Sequence, residues 1–287
     1  METLRKPPWL KKRIPPFQDL QKVRSILNGT DLHTVCEEAR CPNLGECFSS
    51  GTSTFLILGR VCTRNCGFCA VEHGVPVTTD ETEPEKVAQA VQKMGLHYVV
   101  ITSVTRDDLL DGGAYLFSKA VQAIRALDPK IKIEVLIPDF QGEHSSLEIV
   151  LKECPDVLNH NIETVARLYL VVRPQAAYQR SLDLLRRSKE DHPHIPTKSG
   201  FMLGLGETQK EILELLRDLR EVRCDFLTIG QYLQPRQDCL PIVRFITPDE
   251  FEDYKRVGEG MGFRAVSSGP FVRSSFHAFE MFKTIQI

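Results

Sequence analysis

TFLILGRVCTRNCGFC, residues 54–69, decides how this chain is read. Residues 54–58 are apolar or β-branched throughout and too few for a buried helix, so they predict a short buried strand. Three cysteines, Cys62, Cys66 and Cys69, follow at its C-terminal end. Three thiolates so closely spaced make a loop short enough to wrap one metal centre. Thiolates are soft ligands suited to iron–sulfur clusters or zinc. Structural zinc is closed and usually takes its four ligands in two pairs, and no second pair of matching spacing lies nearby. A cubane held by three cysteines instead leaves one iron open, so that an outside molecule can chelate it and receive an electron.

Working outward, strand-like runs recur at 98–102, 131–137, 157–161, 200–205 and 226–230. Helical patterns stand between them at 116–127, 147–152, 180–190 and 209–222, after a first helix at 82–94. Thr82 with Glu85, and Thr208 with Glu211, predict capping boxes. Upstream, 17–27 has helical apolar spacing that stops at Asn28-Gly29, and 30–50 reads as irregular. Thr247-Pro248-Asp249-Glu250 opens a last helix, with a closing strand at 264–266. Short apolar strands alternating with amphipathic helices imply a parallel sheet covered on its outer face, an open doubly wound sheet or a barrel. Six units counted from Thr54 point to a barrel. Eight would need more chain, so the expectation is a partial one with its chemistry at the C-terminal ends of the strands.

Composition bounds the function. With 287 residues, 42% of them hydrophobic and 26% charged, the chain can bury a sizeable core. A net charge of −2 provides no basic field for nucleic acid, which leaves small molecules or a protein as partners. The longest charge-free apolar stretch, 47–59, is too short to span a bilayer. METLRKPPWLKKRIPPF, residues 1–17, lacks the apolar core of a signal peptide and carries four prolines, so it reads as an arm on a cytoplasmic protein. Of nine cysteines, six crowd into 36–69, which favours thiolate ligands over disulfides. Cys154, Cys224 and Cys239 stand apart and read as small buried hydrophobes. His160, without a spaced partner, is assigned no chemistry.

The triplet, directly after a first apolar strand and before an αβ repeat, resembles the signature of the radical S-adenosylmethionine superfamily, including Phe68 before its last cysteine. The resemblance implies a 4Fe–4S cluster at Cys62, Cys66 and Cys69 whose open iron binds S-adenosylmethionine, which is cleaved to a 5′-deoxyadenosyl radical. A second set, Cys36-x4-Cys41-x5-Cys47, has neither ferredoxin nor zinc-ribbon spacing and is ambiguous alone. Beside the first it suggests an auxiliary cluster. VCEEARCPNLGECF (35–48) and RVCTRNCGFCAV (60–71) then resemble the lipoyl synthase family, as do TSVTRDDLLDGGA (102–114), EVLIPDFQG (134–142), HNIETV (160–165), VRPQAAYQRSL (172–182), KSGFMLGLGE (198–207) and GPFVRSSF (269–276). The family usually has Tyr where this chain has Phe276.

That resemblance implies two 4Fe–4S clusters, with a serine of the RSS motif, Ser275 or in its place Ser274, completing the auxiliary set. It also implies insertion of two sulfur atoms at C6 and C8 of a protein-bound octanoyl-lysine, the auxiliary cluster giving the sulfur. The expected partners are an octanoylated lipoyl carrier protein or lipoyl domain, such as the glycine cleavage H protein or a 2-oxoacid dehydrogenase E2, and an electron donor such as ferredoxin or flavodoxin. Thr102, Ser103, Asn161, Glu163, Arg173 and Lys198 match family motifs and are expected around the cofactor, with Arg106 a further candidate. The expected architecture is α/β: an arm and auxiliary-cluster segment at 1–50, a radical SAM partial (β/α)6 barrel at 51–262, and a C-terminal extension at 263–287 returning to the auxiliary cluster. Lys11-Lys12-Arg13 reads as solvated surface or as a dock for an acidic carrier. The reading of another class is an electron-transfer or metal-sensing protein that merely holds two clusters.

Overall fold

The computed structural model describes residues 5–12, 17–30, 32–50 and 52–284. Residues 1–4 and 13–16 of the expected arm, Arg13 of the basic run included, lie outside the described residues. So do Asp31, Gly51 and residues 285–287 of the expected C-terminal extension. Two compact units are present.

The N-terminal unit spans 17–65 and 70–159. It runs α1 (Phe17–Asn28), β1 (His33–Thr34), α2 (Val35–Glu38), α3 (Leu44–Ser49), β2 (Thr54–Ile57), β3 (Val61–Cys62), β4 (Glu72–His73), α4 (Glu83–Met94), β5 (Tyr98–Ser103), α5 (Ala114–Leu127), β6 (Lys132–Leu136), α6 (His144–Leu151) and β7 (Val157–Asn159). Its sheet has the order β1-β2-β5-β6-β7. β2 lies parallel to β5 with Ile57 opposite Ser103, and β6 lies parallel to β7 with Leu136 opposite Asn159. This register lines up the C-terminal strand ends. Every residue of β2 is buried, as a strand covered on both faces requires. Val87, Ala90 and Val91 of α4 and Ala120, Val121 and Ile124 of α5 form the covering stripes.

Two expectations are corrected here. Thr82 does not close a capping box: its hydroxyl donates to Asp80 at 2.6 Å, and Pro84 sits in the first turn of α4. Asp80 lies just ahead of the helix and competes for the side chain that would otherwise turn back. Nor is 30–50 irregular. It folds into β1, α2 and α3, with Thr34 capping α2 by accepting from the Glu37 amide.

The C-terminal unit contains 66–69 and 160–284 together with residues 5–12. It runs α7 (Tyr169–Val172), α8 (Tyr178–Asp191), β8 (Thr197–Leu203), α9 (Gln209–Glu221), β9 (Phe226–Gln231), α10 (Pro248–Gly260), β10 (Ala265–Gly269) and α11 (Ala278–Lys283). β8, β9 and β10 are parallel neighbours, with Phe201 and Ser268 flanking Ile229. Ile212, Leu215, Leu216 and Leu219 give α9 a buried stripe, and the Thr208–Glu211 capping box forms as the sequence predicts. Thr247 and Glu250 close a second box on α10, where Pro248 occupies the first turn. Among the described residues no helix is long and apolar enough to cross a membrane.

Candidate iron–sulfur and cofactor site

Cys36 opens α2 and Cys47 lies on α3, with Cys41 in the turn between these helices. The N-terminal unit brings the three together. Burial pushes the Cys36 thiol up to about 12, hydrogen bonding by Thr54 opposes this, and the nearby Cys41 and Cys47 raise it further. Such a group stays protonated unless a cation compensates the thiolate, and metal binding is what removes the proton. Three soft donors in mutual electrostatic reach, one of them almost sealed from water, fit an iron–sulfur cluster.

Cys62 ends β3 in the same unit. Its sulfur accepts two backbone N–H groups, from Arg64 at 3.4 Å and from Thr105 at 3.3 Å. Donors of this kind around a ligating sulfur are a recurring feature of cluster sites. Thr102 and Ser103 close β5. The Thr102 hydroxyl donates to the Leu136 carbonyl at 2.9 Å and so is spent on the sheet, whereas the buried Ser103 Oγ has no partner among the described residues. Arg106 pairs with Asp108 and also donates to the Leu58 carbonyl, which makes it a brace for the turn after β2.

Cys66 and Cys69 belong to the C-terminal unit. Their loop is held on two sides: Gly67 donates to the Val172 carbonyl at 3.0 Å, and Leu240 donates to the Gly67 carbonyl at 2.8 Å. A Cβ on Gly67 would meet Leu240 Cγ at 2.9 Å, so a side chain there would push the clamp apart. Phe68 packs on the core of this unit. Cys239, read from sequence as a plain buried hydrophobe, places its Sγ 3.5 Å from the Cys69 carbonyl. Cys224 behaves as expected, fully buried with its thiol pushed up to about 12 by desolvation. Cys154 is exposed rather than buried, at the end of the α6 turn.

A second group of predicted residues meets in the C-terminal unit. Asn161 Nδ2 donates to Glu163 Oε1 at 3.0 Å and to Ser274 Oγ at 2.6 Å, while the buried Asn161 Oδ1 has no partner among the described residues. Arg173 donates to the Asn161 carbonyl at 3.0 Å and to the Tyr169 hydroxyl at 3.2 Å. Glu163 adopts φ 66°, a left-handed conformation costly for a side chain with Cβ, between backbone bonds to Gly200 and Met202. Burial raises its carboxyl, opposed by the Arg173 charge, the Asn161 bond and the Arg273 charge. Next to it Gly200 is closely packed: a Cβ there would lie 2.3 Å from Thr228 Oγ1 and 3.1 Å from Asn161 Oδ1. Lys198 lies on β8, buried to 1% exposure. His160 is buried and pairs with Ser181 at 2.9 Å.

These residues suit a small polar molecule bearing hydroxyl and ammonium groups. Within the C-terminal unit, the buried Asn161 amide oxygen and the Glu163 carboxylate are what such a ligand would satisfy. Lys12 is half-buried, its ammonium 4.8 Å from the ring centre of Phe271 and 5.1 Å from that of Phe276, residues that flank the two serines in the sequence.

Comparison with known proteins agrees with the geometry. The Radical SAM superfamily profile matches residues 56–219, and the N-terminal domain of lipoyl synthase of the Radical SAM family matches 1–41. Among solved structures, Streptococcus suis SuiB bound to S-adenosylmethionine superposes with a TM-score of 0.58 at 15% identity, over 74% of this chain and 48% of that one. HydG, a maturase of the [FeFe]-hydrogenase, superposes with a TM-score of 0.56 at 15% identity, over 86% of this chain and 64% of that one. The chain thus spans about half to two thirds of the length of these structures, and the likeness bears out the expected α/β partial barrel of the radical SAM type. The lipoyl synthase of Serratia proteamaculans is 56% identical over 279 residues, 96% of this chain and 87% of that one. That of Rubrobacter xylanophilus is 55% identical over 275 residues, 96% of this chain and 86% of that one. With such identity along almost its whole length, beside six thiols in two sets of three, the chain belongs to the lipoyl synthase family of the radical S-adenosylmethionine superfamily.

Proposed function

We propose that this enzyme inserts two sulfur atoms, at C6 and C8, into an octanoyl chain carried on a lysine of a lipoyl carrier protein or lipoyl domain. When bound, the 4Fe–4S clusters and S-adenosylmethionine supply the one-electron chemistry and the sulfur. The observation that carries the reading is the pair of three-thiol sets, Cys36, Cys41, Cys47 and Cys62, Cys66, Cys69, in a chain more than half identical to lipoyl synthases.

The protein's own task is to bind, orient and exclude water. Cys62, Cys66 and Cys69 hold the cluster that S-adenosylmethionine meets. Asn161 and Glu163 take its ribose hydroxyls or ammonium, Ser103 offers a further hydroxyl, and Arg173 and Lys198 face carboxylate groups of cofactor or substrate. Cys36, Cys41 and Cys47 hold the sulfur-donating cluster with Ser275 as fourth ligand. Ser274, the alternative, already accepts a 2.6 Å hydrogen bond from Asn161, which supports the choice of Ser275. The segments 1–50, 51–262 and 263–287 then act as auxiliary-cluster segment, radical barrel and returning extension. Glycine cleavage H protein and 2-oxoacid dehydrogenase E2 are the carriers this reading favours. Ferredoxin or flavodoxin is the electron source this reading favours, and the thiol content supports work in a reducing compartment, the cytoplasm.

Reconstituted protein, given S-adenosylmethionine and a reductant, is expected to form 5′-deoxyadenosine in amounts that depend on an octanoyl-lysine peptide, with a product heavier by two sulfurs. Deoxyadenosine that ignores the peptide would remove the substrate assignment. Gly200→Ala tests the cofactor site by displacing the Asn161 side chain it would touch. Overfilling a packed site costs about 1–3 kcal/mol, so S-adenosylmethionine binding measured by calorimetry should weaken by about 5- to 150-fold.

A further inference from the structure

The loop that carries Cys62 is held by an ion-pair network that the function above does not use. Thr63 pairs with Thr105 through its amide and its hydroxyl, both donating to the Thr105 carbonyl at 3.0 Å. The Asp107 amide donates back to Thr63 Oγ1 at 3.1 Å, and Gly74 donates to the Cys62 carbonyl at 2.9 Å. Next along the loop, Arg64 is 4% exposed. Its guanidinium forks onto Asp107, Nε to Oδ2 at 2.6 Å and Nη2 to Oδ1 at 2.8 Å, and Nη2 also donates to Asp139 Oδ1 at 2.6 Å. Asp139 is buried after β6 and accepts from the Gln141 amide at 3.1 Å. Phe140 and Gln141 in that turn both take left-handed φ, 46° and 53°.

A buried ion pair is weak evidence for stability, because desolvation offsets most of the attraction. A fork held by two carboxylates does fix geometry, and a lysine would not reproduce it. What it fixes here is the backbone at Arg64, whose N–H points at Cys62 Sγ, and the adjoining strand end, whose Thr105 N–H points at the same atom. Amide donors stabilise the more electron-rich state of a sulfur-ligated cluster, and hydrogen bonds to sulfur are one of the terms that set its potential.

We propose that Arg64 is a positioning residue whose clamp by Asp107 and Asp139 aims these two amides at Cys62 and so sets the reduction potential of the cluster that Cys62 ligates. This rests on the reading of Cys62 as a ligand. The test is a redox titration followed by electron paramagnetic resonance on reconstituted full-length protein, comparing wild type, Arg64→Met and Arg64→Lys. Both variants are expected to keep the iron content of wild type while the one-electron equilibrium moves at least tenfold toward the oxidised cluster, about 59 mV. A wild-type potential in either variant overturns the proposal, and Arg64→Lys, which retains the charge, carries the test if Arg64→Met fails to fold. The underlying reading fails in a different way: Cys62→Ala would keep the cluster signal that responds to S-adenosylmethionine.

Discussion

Cys66→Ala is expected to abolish 5′-deoxyadenosine formation and to cost the reconstituted protein half of its iron. Cys66 and Cys69 belong to a loop pinned by backbone hydrogen bonds to Val172 and Leu240, and Phe68 is packed on the core, so the loop cannot slide to offer another donor. Removing one of three thiolates leaves two corners of the cubane without protein ligands. The neighbouring Cys239 thiol is buried and donates to the Cys69 carbonyl, so it is engaged with the backbone of the loop. The second set of thiols is untouched, and the remaining half of the iron should stay there. The protein should fold, because Cys66 is only half-buried and its change to Ala removes little packing. Chromatography of the nucleoside and Mössbauer counting of iron check the two parts separately. Deoxyadenosine at the wild-type level would contradict the assignment of the triplet.

Ser275→Cys separates holding a cluster from giving up its sulfur. A thiolate is a softer ligand than a serine oxygen and should bind iron more securely. The variant is therefore expected to keep full iron and to form deoxyadenosine, while its sulfur-inserted product falls on the order of 10–100-fold, the range typical of altered metal surroundings. Mass spectrometry of the octanoyl peptide reads the second quantity. Ser274→Ala behaves differently, since its hydroxyl accepts from Asn161 Nδ2. Its loss should weaken S-adenosylmethionine binding and leave the auxiliary iron in place. An interchange of these two outcomes would make Ser274 the ligand.

The parallel strands were legible because each is a short apolar run bounded by an amphipathic helix, and burial on both faces leaves little choice of residue. The six cysteines stood out by spacing, and the box at Thr208 and the helix start at Thr247 by local chemistry alone. What escaped depends on distance in space. Arg64 finds Asp107 across 43 residues and Asp139 across 75, and no periodicity announces such a meeting. Cys239 reaches Cys69 across 170 residues, so as a solitary thiol it looked inert. The Thr82 box failed for a local reason, since Asp80 is two residues away and accepts both the Thr82 amide and its hydroxyl. The short helices around Cys36 and Cys47 were missed because four to six residues are too few to display a helical stripe.

Lys12 finds aromatic partners at Phe271 and Phe276. Two segments far apart in the sequence therefore meet by closing a long loop of chain. Because closure entropy grows only with the logarithm of loop length, that separation costs little more than a loop half as long would.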